Sequence, residues 1–530
     1  MPLFDLASQS HDTTYHSDLL IVGAGVAGLT LASALQDTNL SIDIIEAGGL
    51  RTSEDSQSLF EAEMTKFRHH GATEGRFRVF GGSSTAWGGQ LLPLSSNDFA
   101  ERNYIPNSGW PISNDDLQPY LHEAENLLSV NHLPFDDAPP FSPKILIPAH
   151  LAHSLSIRYS KWAPFSHRNV AKTLGRSCIK NPSTRVFVNS PATSLILSEK
   201  GDKVIAAVVT LDTKQSILFK SRITVIASGT IETIRLLLAS RNQHPGTMGN
   251  SSNLLGLGIH DHISFRSAQL FPTNRRAFLD LYSPSFYQNT RHTPKLETSP
   301  FWQAKYSAPN TMGHIVFQRQ DNDTITALRQ VLRLIQSGQS SKASHLLTVF
   351  SRALKDAPAA TRLFYYRYFK RRLLEANSAK IFLHIDTEQP PNLQNKIQLS
   401  TRTDRLGQPL PRISWAWGNP ELSAMSQYKA LFTEFWNRSQ YGPSIEWYPL
   451  PKLDTQHTSI SDTFHLMGGT RMSSSPSQGV VDHNLLVHRT SNLYLASCSV
   501  FPTGGSSNPT LTLIMLTIRL SRLLRMRLAT

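Results

Sequence analysis

Two cysteines in 530 residues, Cys178 and Cys498, are too few and too far apart in sequence for a disulfide framework or a thiolate zinc site, and a reducing cytoplasm is the expected setting. Long apolar runs are also missing. Leu511 to Ile518 is apolar but short, arginines interrupt the residues after it, and the stretch reads as a buried helix rather than a membrane span. Residues 1–17 are polar and lack the basic start and apolar centre of a signal peptide. There is no internal repeat, and no module on which basic residues gather as nucleic-acid binding would require. The net charge of +13 therefore points to an acidic partner, an anionic substrate or a membrane surface. The length exceeds what one core usually serves, so two domains are expected.

What is present is organised around Asp18 to Gly49. Leu19 to Val22 is a short apolar run of the kind found in buried parallel strands, and Gly23, Gly25 and Gly28 follow in G-x-G-x-x-G spacing. The first glycine makes the tight turn, the second admits a pyrophosphate to the backbone, and the third lets the helix pack on the strand. The helix is expected to run to about Gln36 with its positive end at the pyrophosphate, and Glu46 closes a second strand, Ser41 to Ile45, where a carboxylate bonding a ribose hydroxyl is expected. Strand, turn, helix, strand and acid together indicate a dinucleotide, NAD or FAD. A second glycine-rich loop, Phe80 to Leu94, has Gly81, Gly82, Gly88 and Gly89, and its backbone can press against a flat or charged ligand; the weaker alternative, taken alone, is a mobile surface loop.

Further along, helical spacing of Leu117, Leu121, Ala124 and Leu128 predicts a helix within Gly109–Val130, and proline-rich residues 131–150 a crossing to another region. Short strands are expected at 186–188, 193–197, 204–211, 216–219 and 223–227, the last leading through Ser228 and Gly229 into a helix at 231–238. Residues 266–454 read as a different domain, with strands at 381–386 and 397–400 and a helical insertion at 324–376. The end of that insertion mixes arginines and lysines with Phe364, Tyr365, Tyr366, Tyr368 and Phe369, which suits a membrane interface, an anionic ligand or a solvated helix whose aromatics pack on the domain. Near the C-terminal end, His465 opens HLMGGTRM and has the chemistry of a general base; Asn508 precedes Pro509 as an N-cap of a long apolar helix.

These stretches together resemble the glucose-methanol-choline (GMC) oxidoreductases, FAD-dependent alcohol oxidases and dehydrogenases. GAGVAG with Glu46, GGSSTAWGG, GWPISNDDLQPYLHEAE, ASGTIETIRLLLAS, the Asp261–His262 pair, EQPPNLQNKIQLS, and HLMGGTRM with SVFPTGGSSNP occur in family order over nearly the whole chain. The resemblance implies an α/β fold: a Rossmann-like FAD-binding domain with a second, α+β substrate domain built on an antiparallel sheet. The expected division is 14–130, 184–265 and 455–530 for the FAD-binding domain, 131–183 for a connecting and flavin-covering segment, and 266–454 for the substrate domain. It matches His465 to the family's catalytic histidine and Asn508 to the second catalytic position, as in the branch with pyranose oxidases and sugar dehydrogenases. The implied reaction is oxidation of a CH–OH group, of a sugar or glycoside, by proton loss to His465 and hydride transfer to flavin N5. The cofactor is expected against Gly23, Gly25, Gly28 and Glu46, against Gly81, Gly82, Ser83, Ser84, Trp87, Gly88 and Gly89, and against Val188, Ala227, Ser228, Gly229, Ser497, Pro509 and Thr510, with no metal. Ala86 stands where the covalently flavinylated branch has histidine, so FAD is expected to be non-covalent; Ser497 stands where relatives often have Asp or Gly. Oxygen, a quinone or a carrier protein is the expected electron acceptor, with peripheral membrane contact through 352–376. The alternatives are a flavin-containing non-redox lyase and a membrane-associated binding protein without catalysis.

Overall fold

Two sheets with different burial patterns organise the chain. The computed structural model describes residues 3–7, 13–211, 215–241, 248, 253–318, 357–375, 378–439, 444–451 and 460–529. The first sheet is parallel at its centre and is built from β1 (Thr14–Val22), which leads through a glycine turn into α1 (Val26–Ala34), then β2 (Ile42–Ile45), β3 (Thr184–Val188) and β4 (Ser216–Ile226). Its order is Leu3–Asp5, β3, β2, β1, β4, Val204–Thr210, Ala192–Leu197, the last two antiparallel. Leu19, Leu20 and Ile21 are wholly buried, as a central strand covered on both faces requires. β4 is followed by α2 (Thr230–Arg241).

The second sheet is antiparallel. Its central strands are β5 (His262–Phe271), β6 (Thr290–Thr298), β7 (Thr311–Gln318) and β8 (Lys380–Glu388), in the order Ser444–Trp447, β5, β8, β7, β6, Leu155–Trp162, Gln90–Leu91. Here the side chains alternate. Ile263, Phe265, Leu296, Leu383 and Ile385 form a buried apolar face with α3 (Asn419–Arg438), whose Tyr428, Phe432 and Trp436 belong to the same core. Gly313 on β7 admits this helix: a Cβ there would lie 2.4 Å from the Tyr428 hydroxyl, which donates to the Leu296 carbonyl at 2.8 Å. The opposite face carries His262, Ser264, Lys295, Glu297, His314, Asp386 and Glu388, and is turned toward the first sheet's loops. The chain returns to the first sheet through β9 (Leu493–Leu495), parallel to β4, and ends in α4 (Pro509–Ala529), which packs on α1.

Several expectations change in detail. The strands expected at 216–219 and 223–227 are one strand: Lys220 and Ser221, read as a turn, continue the ladder opposite His16 and Ser17 at the open end of the sheet, where polar side chains reach water. The helix within 109–130 is confined to one 3₁₀ turn at Gln118–Tyr120 and an α-helix at Leu121–Leu127. The boundary expected at 265/266 falls inside β5. Most of the expected insertion lies outside the described residues, apart from a helix at Ala357–Tyr368.

Buried carboxylates on the polar sheet face hold the loop that leads into α4. Glu388 receives both terminal nitrogens of Arg102 at 2.7 and 2.8 Å and the Gly505 N–H at 3.1 Å. Glu297 accepts the Ser506 hydroxyl at 2.7 Å, and Arg158 donates to Ser507 at 3.2 Å. Arg102→Ala would leave Glu388 buried without its cation, and should cost about 3–5 kcal/mol. Chemical denaturation of the cofactor-loaded protein checks this; a cost below about 1 kcal/mol would show that the pair does not anchor the loop.

Candidate active site

The turn after β1 is built to face a ligand. Gly25 precedes α1 with no side-chain cap, so the helix's first N–H groups stay available. A Cβ on Gly28 would lie 2.0 Å from the Gly23 carbonyl oxygen, whereas one on Gly25 would meet nothing within 4 Å. Gly28 is thus needed for packing and Gly25 borders open space. That space is a cleft of about 340 Å³, lined by Gly23, Gly25, Glu46, Gly82, Ser83, Ser84, Ala227, Ser228, Gly229, Ser497, Pro509 and Thr510. Gly28 and Gly81 stand behind the lining. Val188 does too: the chain turns after β3, and Ser190 to Thr193 take its place. Glu46 is buried, and its two oxygens accept the Ala24 and Gly48 N–H groups, both at 2.9 Å. Burial raises its pKa against those bonds and the nearby Arg78. Arg76, Arg78, Glu232 and Arg235 also line this cleft and were not foreseen; Glu232 is held at about 2, the three arginines outweighing its burial.

A second cavity of about 730 Å³ adjoins the first, sharing Ser83, Phe464, His465 and Thr510 with it. Trp87, Gly88 and Gly89 line this one, with Asn508 and the polar sheet face. His465 and Asn508, 43 positions apart in sequence, meet here with His465 Nε2 3.3 Å from Asn508 Nδ2. The Asn508 side chain makes this bond and, among the described residues, none to α4, so it does not act as a side-chain cap.

The tautomer of His465 is set by its neighbours. His262 Nε2 lies 3.3 Å from the Gly504 carbonyl oxygen, which can only accept, so a neutral His262 carries its proton there and its Nδ1 is an acceptor. That Nδ1 is 3.0 Å from His465 Nδ1, which must then be the donor. Thr463 Oγ1, 2.9 Å from the same nitrogen, donates its own proton to Asp261 at 2.9 Å and is also free to accept. Both partners put the His465 proton on Nδ1 and leave Nε2 bare beside Asn508. Asp261 anchors the arrangement by accepting also from His69 Nε2 at 3.1 Å and from the backbone N–H groups of His262 and His465 at 2.6 and 3.0 Å. Burial would raise this carboxyl, but the His69 hydrogen bond and the surrounding histidines hold it at about 2. The grouping Asp261, His262 and His465 is compact enough for a metal, but its two histidine Nδ1 atoms already bond each other and the Asp261 oxygens are taken by His69, Thr463 and backbone N–H groups.

Phe464, next to His465, has φ +63° and lies against both cavities, half exposed. A left-handed backbone is costly for a bulky residue, and this one turns His465 back toward Asp261. His69 and Thr463 carry no sequence signal of their own. Asp261 and His262 stand out in the sequence as a pair, without a role.

A GMC oxidoreductase family model matches residues 391–517, the segment containing both His465 and Asn508, and an NAD(P)-binding Rossmann-like domain model matches residues 21–70. The fructose dehydrogenase large subunit of Gluconobacter japonicus is 23% identical, the alignment covering 96% of this chain and 97% of that one. The chain is thus similar to the GMC oxidoreductases over residues 391–517. A 6'''-hydroxyparomomycin C oxidase of Streptomyces lividus is 22% identical over 97% of this chain and 92% of its own length. Among solved structures, a formate oxidase of Aspergillus oryzae shares the fold with a TM-score of 0.55 at 14% identity, covering 98% and 99% of the two chains. Pyridoxine 4-oxidase from Mesorbium loti gives 0.54 at 12% identity, with 96% and 98% covered. The family model that spans His465 and Asn508 describes an oxidoreductase, and the fold is one that solved oxidases share.

Burial and the neighbouring His262 push His465 from 6.5 down to about 4. Were His465 the general base, it would act unprotonated, so kcat/KM would be expected to stay flat as pH falls through 6.5 and to decline only near pH 4. The same shift makes stability fall between pH 6.5 and about 4, because over that range the unfolded chain binds the proton and the folded one does not. A pH–rate profile with its acid limb near 6.5 would contradict the desolvated site.

Proposed function

We propose that this protein is a GMC oxidoreductase that oxidises a CH–OH group of a sugar or glycoside, with His465 as the base and Asn508 as the donor that holds the substrate oxygen. The observation that carries the reading is the bare Nε2 of His465, 3.3 Å from the Asn508 amide, where the dinucleotide cleft meets a polar cavity. Both groups can address one oxygen: His465 Nε2 takes the hydroxyl proton while an Asn508 N–H steadies the charge developing on oxygen. His262, Thr463 and Asp261 keep the imidazole in the tautomer that accepts. FAD held in the cleft supplies a two-electron acceptor for the carbinol hydrogen. The uncapped α1 start, the open space at Gly25, Glu46 and the shared lining at Ser83 and Thr510 suit such a group, held without a covalent bond. The sugar reading draws on the relatives named for fructose and hydroxyparomomycin C.

The division of labour runs along the same lines: residues 14–130, 184–265 and 455–530 hold the cofactor, and 266–454 shape the substrate side. Reoxidation falls to oxygen, a quinone or a carrier protein. A cytoplasmic setting is favoured by Cys178 and Cys498, neither of which is in a disulfide. Peripheral membrane contact through the 352–376 stretch is favoured by the exposed Phe364, Tyr365, Tyr368 and Phe369 beside Arg362, Lys370 and Arg371; among the described residues no helix is long and apolar enough to cross a membrane.

Anaerobic addition of the right sugar should bleach the yellow protein, and admitting oxygen then tells an oxidase from a dehydrogenase. His465→Ala should slow bleaching by about 10²–10⁴-fold and Asn508→Ala by about 10²–10³-fold, both with FAD content unchanged. Turnover without bleaching would instead establish the lyase alternative. Flotation with vesicles containing anionic lipid should be lost on changing Phe364 and Phe369 to serine; equal flotation of both forms would remove the membrane contact.

A further inference from the structure

On the assumption that the protein oxidises alcohols, we infer that Lys295 and Asp386 form a second polar subsite in the 730 Å³ cavity and bind a hydroxyl group other than the one being oxidised. The substrate class this selects is a neutral polyol. Lys295 projects from β6 and Asp386 from β8, with Ser264 on β5 directly opposite Asp386 and His314 on β7 between the two charged strands. Only 6% of Lys295 is exposed, yet it lines the cavity, and its ammonium has no hydrogen bond or ion pair among the described residues. A buried ammonium without a hydrogen-bonded partner is costly, and on the same wall a buried carboxylate oxygen, Oδ1 of Asp386, also lacks a hydrogen-bond partner.

Asp386 is the opposite charge on the same wall. Its carboxylate faces His314 Nδ1 at 3.0 Å, is partly exposed, and forms no ion pair with Lys295. Burial would raise it, but His314 and Lys295 hold it far below the usual carboxylate range, so it is ionised whenever the enzyme works. Lys295, pushed down to about 8 by burial, remains mostly cationic at neutral pH. Arg291 adds positive charge near Lys295, and burial lowers His314 against the pull of Asp386.

This combination discriminates between ligands. A carboxylate or phosphate on the substrate would satisfy Lys295 but confront Asp386; an ammonium would do the reverse. A hydroxyl accepts from the ammonium and donates to the carboxylate. A simple monohydric alcohol reaches His465 and Asn508 but leaves the wall without a ligand. Lys295 and Asp386 also act on His465 with opposite signs, which places the subsite within electrostatic range of the reacting hydroxyl.

The test uses FAD-loaded wild type, Lys295→Met, Lys295→Arg and Asp386→Asn, each checked for flavin content and thermal midpoint. The selectivity for the best sugar of a panel over 1-propanol, as a ratio of kcat/KM values, should fall on the order of 10- to 100-fold in Lys295→Met and Asp386→Asn, the range for hydrogen bonds to charged groups. Lys295→Arg should recover part of it. An equal loss for both substrates overturns the subsite. A second readout does not need turnover: fluorescence of Trp87 and Trp162, which line the cavity, titrated with sorbitol. The apparent Kd should rise at least tenfold in the two disabling variants, and an unchanged Kd, or no sorbitol binding by wild type, overturns the proposal. If no alcohol is oxidised but sorbitol binding shows this dependence, the subsite stands and the oxidation reading fails.

Discussion

A single carboxylate, Asp261, holds three distant parts of the chain to one geometry. It is wholly buried and takes hydrogen bonds from His69, from Thr463 and from the backbone of His262 and His465. The donors come from positions 192 residues before it and 204 after it. A buried anion requires its donors, and donors that must meet it cannot wander; the cost of an unsatisfied charge is what fixes the histidine ring. The glycine-lined cleft, His465 and the adjoining cavity converge because this group lies at the start of β5, where the chain enters the antiparallel sheet.

A comparable logic operates on the other side of the site. Glu297 and Glu388 stand on the polar face of that sheet and hold Ser506 and Gly505, two and three positions before the asparagine that faces the histidine. The sheet therefore has two duties divided by its pleat. One face buries apolar side chains under α3 and supplies stability; the other buries charge and positions loops. His465 and Asn508 are thus fixed relative to each other by carboxylates of the same scaffold, although neither residue belongs to a strand of it.

Local features are readable in the chain and long-range ones are not. Gly23, Gly25 and Gly28 are legible because a turn between strand and helix is governed by neighbours within a few residues, and His465 and Asn508 because family-like segments surround them. Lys295, His314 and Asp386 give no signal. Polar residues alternating with apolar ones are what a strand with one wet face also shows, and only the packing of a second domain over that face makes it interior. Val188 misleads for a related reason: its strand is evident, but the chain's direction after it depends on Glu46 and Gly48, which bond Ser190 and Asn189 from far upstream. Lys220 and Ser221 resemble a turn because the partner strand at His16 and Ser17 cannot be seen from their own sequence.

The uncapped beginning of α1 has a thermodynamic meaning. Helix N–H groups with no side chain to receive them are stabilised when an anion is bound, and the same binding is denied to the unfolded chain. Folding and cofactor occupancy are therefore linked equilibria: ligand at a thousand times its dissociation constant adds about 4 kcal/mol to the folded state. The resistance of this protein to heat or proteolysis is accordingly set by how much of that ligand the solution holds as well as by the sequence.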